Sequence, residues 1–270
     1  MLRRVLRAGA RLATLAGAAA LAALLAVPRP AAADTEVDLA LVIAVDISYS
    51  MDLDELALQR QGFADAFESE IVHDAIRRGA LGRIAVAYVE WAGAYDQRLV
   101  IPWTVIGDPG GARAFADRVA AVPVRRAQRT SISGAIDFSA RILAESGMDA
   151  TRRVIDVSGD GPNNQGRLVE QARDEAVGNG IVINGLPLML KRPGYLDLPD
   201  LDLYYRDCVI GGQGSFLVPV RDKAQFRDAV KTKIIREIAD LGPPLVQKAQ
   251  TSEKANCTMG EAQWRDRMGN

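Results

Sequence analysis

The sequence predicts a doubly wound, mainly parallel α/β sheet of Rossmann-like type, with one antiparallel edge strand. Three observations predict it. Apolar runs of strand length alternate with helix-like patterns between residues 37 and 241. The runs are apolar at nearly every position, as in strands covered by helices on both faces. One pair of runs is separated only by Gly93, Ala94, Tyr95 and Asp96, a hairpin-length connection that reverses the chain.

The elements follow in order. Residues 37–46, "VDLALVIAVD", read as a buried strand. Asp52 with Glu55 three residues on is a capping box, opening an amphipathic helix that runs to about Ile76. Residues 83–93 and 97–106 are the two strands of the hairpin, and residues 109–122 a short helix. In residues 131–146, Ile132, Ala135, Ile136, Ile142 and Leu143 recur at helical spacing. Residues 152–161 form a strand running into a Gly turn, residues 166–180 a helix ended by Gly180, and residues 181–188 a further strand. Residues 191–213, rich in Pro, Gly, Tyr and Asp, break the rhythm as an insertion. A short strand at 214–220 and an amphipathic helix at 224–241 close the domain, and residues 242–270 are a polar, weakly patterned tail.

Residues 1–33 read as a segment separate from the fold. A basic start, an Ala- and Leu-rich apolar stretch and the small residues Ala31 to Ala33 have the order of a cleaved secretory signal. An uncleaved anchor is the alternative, but the stretch is short and Ala-rich for a spanning helix. Arg3 and Arg4 leave general and twin-arginine export open. The segment holds five of the 33 basic residues and no acidic one, so cleavage leaves 28 basic against 34 acidic residues, a net charge of about −6. Such a domain is a poor ligand for nucleic acid, which needs clustered Lys and Arg. The expected product is a periplasmic or secreted protein with no stable membrane insertion: residues 34–241 as the domain and 242–270 as a tail.

Two cysteines, Cys208 and Cys257, stand in the chain. An oxidising compartment favours joining them, which would tie the tail to the domain and contribute ~4 kcal/mol of loop entropy; two unpaired thiols are the alternative. With a single histidine they offer no metal site.

In doubly wound sheets, ligands bind beyond the carboxyl ends of central strands, where the strand order reverses. Asp46 stands at such an end, followed by Ser48 and Ser50 at alternate positions; Asp160 ends "VIDVSGD", and Thr130 precedes the helix in "RTSISGAI". Carboxylate and hydroxyl oxygens of this kind suit a hard divalent cation, although Ser and Asp at strand–helix junctions also serve as ordinary caps.

The run "DISYSM" matches the Asp-x-Ser-x-Ser motif of von Willebrand factor type A domains. "RTSISGAI" and "VIDVSGDG" resemble that family's Thr-bearing loop and its strand ending in Asp-Gly, in the same order, and the likeness covers residues 38–241. It is nearest to exported bacterial members without an assigned function. The resemblance implies a metal-ion-dependent adhesion site, with Asp46, Ser48, Ser50, Thr130 and Asp160 facing a divalent cation (Mg²⁺ first, Mn²⁺ or Ca²⁺ as alternatives), some through water. It also implies a protein partner whose exposed carboxylate completes the shell, without catalysis. One position departs from the pattern: the family commonly has Thr before the last Asp, where this chain has Gly159, with Ser158 as the nearest hydroxyl.

Other readings stand beside this one. Arg125, Arg126 and Arg129 either favour an anionic ligand at the mouth or form a solvated loop. Tyr195, Tyr204 and Tyr205 in the insertion either recognise a partner or belong to a structural flap. A metal-free interaction scaffold is the alternative function. A metal-dependent hydrolase would need a base, for which only Asp52 or Asp54 lies near in sequence. The sole histidine, His73, reads as structural or surface-exposed.

Overall fold

In the computed structural model, residues 34–191, 198–239 and 254–268 are described; the signal-like segment, Tyr195 and the first part of the tail lie outside them. Five strands order as β3-β2-β1-β4-β5: β1 (Thr35–Asp46), β2 (Ile84–Trp91), β3 (Gln97–Ile106), β4 (Met148–Gly159) and β5 (Ile181–Pro187). β1 pairs in parallel with β2 and with β4, and β4 with β5, while β3 runs antiparallel to β2 at the edge. This is the fold class that the alternating pattern predicts.

The period-2 geometry of β1 divides the core. Leu39, Leu41, Ile43 and Val45 enter one apolar layer, and Ala40, Val42 and Ala44 the opposite one. The first layer is covered by α1 (Leu53–Glu68), α2 (Glu70–Arg77), α3 (Pro109–Ala121) and α7 (Phe226–Ala239). The second layer is covered by α4 (Ile132–Ala144), α5 (Val169–Gly178) and α6 (Leu201–Tyr204), the last continued by a π-turn over Tyr205–Val209. The strand order reverses between β1 and β4, so the carboxyl ends carrying Asp46 and Asp160 flank the switch point.

Several elements differ from the sequence reading. The long first helix is broken at Ser69, whose backbone is extended and serves both α1 and α2 as a cap. Near that break, His73 Nε2 hydrogen-bonds the Phe67 carbonyl at 2.7 Å, one of the end carbonyls that a helix leaves open. His73 is therefore a buried structural group. Residues 214–220 are no regular strand but make isolated bridges, Gly185 with Leu217 and Leu188 with Val220. Asn184 Oδ1 takes the Phe216 N–H at 3.0 Å. The Val218 and Val220 N–H groups donate to the Gly185 and Pro187 carbonyls, but Pro187 of β5 has no N–H to return, which interrupts the ladder. Cys208 and Cys257 are joined by a disulfide. The polar tail contains a helix, α8 (Met259–Met268), that the sequence reading missed. Among the described residues no helix is long and apolar enough to cross a membrane.

Candidate divalent-cation and ligand site

Asp46 ends β1 fully buried. Its Oδ1 accepts the Ser48 N–H at 2.7 Å, whereas Oδ2 is buried without a hydrogen-bond partner. Burial, and then the nearby Asp160 carboxylate, push its pKa well above the ordinary carboxylate range. Ser48 Oγ and Ser50 Oγ lie 2.7 Å apart, and Ser50 Oγ donates to Asp160 Oδ1 at 2.5 Å. Thr130 is held by a reciprocal pair: its N–H donates to Asn164 Oδ1 at 3.0 Å, and the Asn164 N–H donates to the Thr130 carbonyl at 2.8 Å. Ser48, Ser50, Thr130 and Asp160 line one cleft of about 660 Å³, and Asp46 is buried alongside, hydrogen-bonded to Ser48.

The donor set fits a hard cation. It consists of oxygens, it includes two carboxylates close enough to repel, and it leaves one buried oxygen without a donor. Among the described residues no group of three or more His, Cys, Asp and Glu side chains is placed to hold a metal. A cation here would therefore rest on two carboxylates and neutral hydroxyls.

Gly159 explains the departure from the family pattern. A Cβ at this position would stand 2.8 Å from Asp46 Oδ2 and 3.1 Å from Tyr205 Oη. The place that a side chain at 159 would take is thus crowded by a tyrosine hydroxyl from the insertion. That hydroxyl is fully buried without a hydrogen-bond partner, and burial and Asp46 raise its pKa. Gly159→Ala is expected to cost about 1–3 kcal/mol by overpacking, read as a lowered urea midpoint at unchanged m-value.

Both described tyrosines of the insertion face inward, which favours the structural flap of the two alternatives over partner contact. Tyr204 Oη accepts the Asn163 N–H at 3.2 Å and lies 3.5 Å from the Cys257 carbonyl. Apolar packing between α5, β5 and the disulfide decides this, and the aromatic composition of the loop carries no sign of it. The three arginines also separate. Arg125 pairs with Asp96 at 2.9 Å and Glu90 at 3.6 Å, and Arg126 donates to the Tyr49 carbonyl. Arg129 lines the cleft.

Lys191 had no place in the sequence reading. Its ammonium lies 2.5 Å from Glu55 Oε2, 2.5 Å from the Ser50 carbonyl and 3.7 Å from Asp160 Oδ2. Burial lowers its pKa, but the Glu55 hydrogen bond and the Asp160 charge outweigh this and raise it overall. Asp52 forms the expected capping box with Glu55, and the Glu55 N–H holds its carboxylate below the usual range. A carboxylate so stabilised is a weak base, which removes one of the two nominees for water activation.

Among solved structures, the fold is similar to that of proximal thread matrix protein 1 from the mussel byssus with a zinc-occupied MIDAS motif. That match has 11% identity over 77% of this chain and 50% of that one, with a TM-score of 0.57. It is also similar to the von Willebrand factor type A protein from Catenulispora acidiphila, at 14% identity over 75% of this chain and 43% of that one, TM-score 0.54. The pilus adhesin SpaC from Lactobacillus rhamnosus GG matches at 11% identity over 76% and 30%, TM-score 0.55. At these identities the likeness is one of fold, and the chain spans about half the length of the mussel protein. No curated protein matches the sequence. A family model described as "Protein of unknown function (DUF1194)" matches residues 36–242, most of the chain, and the protein belongs to that family.

Proposed function

We propose that the protein is a non-catalytic binding module of von Willebrand factor A type, which holds a divalent cation and recognises a protein partner through an exposed carboxylate. Asp46, Ser48, Ser50, Thr130 and Asp160 would hold the ion, some through water, with Mg²⁺ first and Mn²⁺ or Ca²⁺ as alternatives. The observation that carries the reading is the buried, partnerless Asp46 Oδ2 beside a second carboxylate, under a cleft lined with hydroxyls. When bound, the cation would supply the attraction that offsets desolvation of the partner's carboxylate. Export belongs to the same proposal: residues 1–33 removed, residues 34–241 as the module with the tail tied back, and a periplasmic or secreted setting. The disulfide supports it, because such bonds persist in oxidising compartments.

A metal-free scaffold is the second reading. It is favoured by the Lys191 ammonium, a built-in positive charge 3.7 Å from Asp160 Oδ2. Calorimetric titration of the metal-stripped chain with Mg²⁺, Mn²⁺ and Ca²⁺, beside Asp46→Ala, separates the two. The cation reading expects saturable binding that the variant loses. No heat at millimolar cation with the wild type would sink that reading and leave the scaffold.

A further inference from the structure

The cleft over the carboxylates is not built by the α/β layers alone. One of its walls is α8, through Gly260, Gln263 and Trp264, and α8 lies beyond the residues that the family model matches. The helix is fixed against the loop that follows Asp160. The disulfide anchors the segment just before it, to the π-turn after α6. At Gly260 the helix backbone comes so close that a Cβ would stand 2.1 Å from the Asn163 carbonyl oxygen, an approach only glycine allows. Next to it, Asn163 Nδ2 donates to Glu261 Oε1 at 2.7 Å.

This anchored wall holds a cation of the protein's own. Arg129 has φ +74, the sole positive φ outside glycine among the described residues. Its guanidinium carbon lies 3.4 Å from the centroid of the Trp264 ring. Stacking on an indole occupies the face of a guanidinium and leaves its in-plane N–H groups for a planar acceptor. Arg129 and Trp264 line the same cleft as Ser48, Ser50, Thr130 and Asp160. A carboxylate entering it would meet the cation-binding oxygens and a pre-oriented fork of donors together. The space, about 660 Å³ with a helix along one side, suits a projecting acidic side chain better than a flat protein face.

We infer that Arg129, held in place by Trp264 of α8, is a specificity-determining residue that grips the carboxylate of a projecting acidic peptide segment. The inference rests on the proposed function for the site, but the grip itself is made by the chain's own arginine.

The test titrates the disulfide-bonded chain, in saturating Mg²⁺ and again in chelator, with the capped peptide acetyl-Gly-Asp-Gly-amide. Its Asn counterpart is the control. The variants are Arg129→Gln, Arg129→Lys and Trp264→Ala, each checked for folding by near-UV circular dichroism and for Mg²⁺ affinity by calorimetry. Arg129→Gln is expected to weaken the Asp peptide at least tenfold, with Mg²⁺ affinity within about twofold of wild type. Arg129→Lys should recover part of the loss, since it keeps charge without the planar fork. Trp264→Ala should cost several-fold by releasing the guanidinium. If Trp264→Ala fails to fold, the two Arg129 variants decide alone.

Equal peptide affinity in wild type and Arg129→Gln overturns the inference, as does a wild type that discriminates no Asp from Asn peptide in either buffer. If the wild type binds no Mg²⁺ yet loses the Asp peptide on Arg129→Gln, the cation reading fails while the arginine grip stands.

Discussion

Lys233→Ala is expected to lower the unfolding free energy by about 3–5 kcal/mol, the usual consequence of removing one partner from a buried ionic cluster. Lys233, Asp156 and Glu237 are all essentially without solvent contact. The ammonium pairs with Glu237 and approaches Asp156 Oδ1 to 2.5 Å, off the hydrogen-bond direction, so both Asp156 oxygens lack a donor of good geometry. One cation between two carboxyls favours retention of a proton. Burial first, and Asp156 second, raise the Glu237 pKa to about 7, and burial raises that of Asp156.

The sign of the pH dependence follows. A carboxyl whose folded pKa lies above its unfolded value contributes stability that is fully present below about pH 4.5. That contribution is lost as pH rises through about 7. Urea unfolding of the wild type should therefore show stability falling over this window, by at most about 1.4 kcal/mol per pH unit for one proton. Glu237→Gln should flatten the slope. Lys233→Met, which keeps the stem but not the charge, separates charge from packing: a loss under about 1 kcal/mol would show that the ammonium is not needed to neutralise the pair.

Saturating Mg²⁺ at about a hundredfold its Kd is expected to add about 2.7 kcal/mol to the stability of the wild type. For a domain of this size that is a rise in Tm of roughly 5–10 °C. Asp46→Asn should abolish the rise. In chelator the same variant should be at least as stable as the wild type, because it removes a charge that burial and Asp160 both disfavour while keeping the oxygen that accepts the Ser48 N–H. The opposite pattern, a variant much weaker in chelator and still shifted by Mg²⁺, would mean that Asp46 is a structural hydrogen-bonding group and the ion binds elsewhere.

The parts of the molecule that were legible in the sequence are those where one physical signal acts alone. β1, β2 and β5 carry near-continuous apolar runs because helices cover both faces, β4 is buried only from Val154 onward, and Asp52 with Glu55 announces α1. The residues around the switch point could be named because strand ends in a parallel sheet are predictable places. What stayed hidden depends on packing between distant segments. Ser69 breaks a helix with no Pro or Gly to mark it. α8 has almost no amphipathic pattern, since the disulfide, Gly260 and the Asn163–Glu261 bond hold it rather than an apolar stripe. The sequence leaves Tyr205 open between partner contact and structural flap, because an aromatic in a loop looks alike whether it points to solvent or beneath a carboxylate. A glycine just before Asp160 was the signal that something large occupied the neighbouring space, and it was visible only as a departure from a pattern.

The alternation of β1 between two apolar layers bears on which length changes the chain can accept. Its residues pair with β2 from Leu39 to Asp46 and with β4 from Thr35 to Val45. Inserting or deleting one residue there would exchange the leucine-rich set for the alanine-rich one. It would also break two ladders and displace the Asp46 carboxylate by about one strand step, ~3.3 Å. The hairpin tip, with Tyr95 fully in solvent, has no such double constraint. Length variation among descendants of this chain should therefore gather at turns such as that one, while the distance from the start of β1 to Asp46 keeps a fixed count.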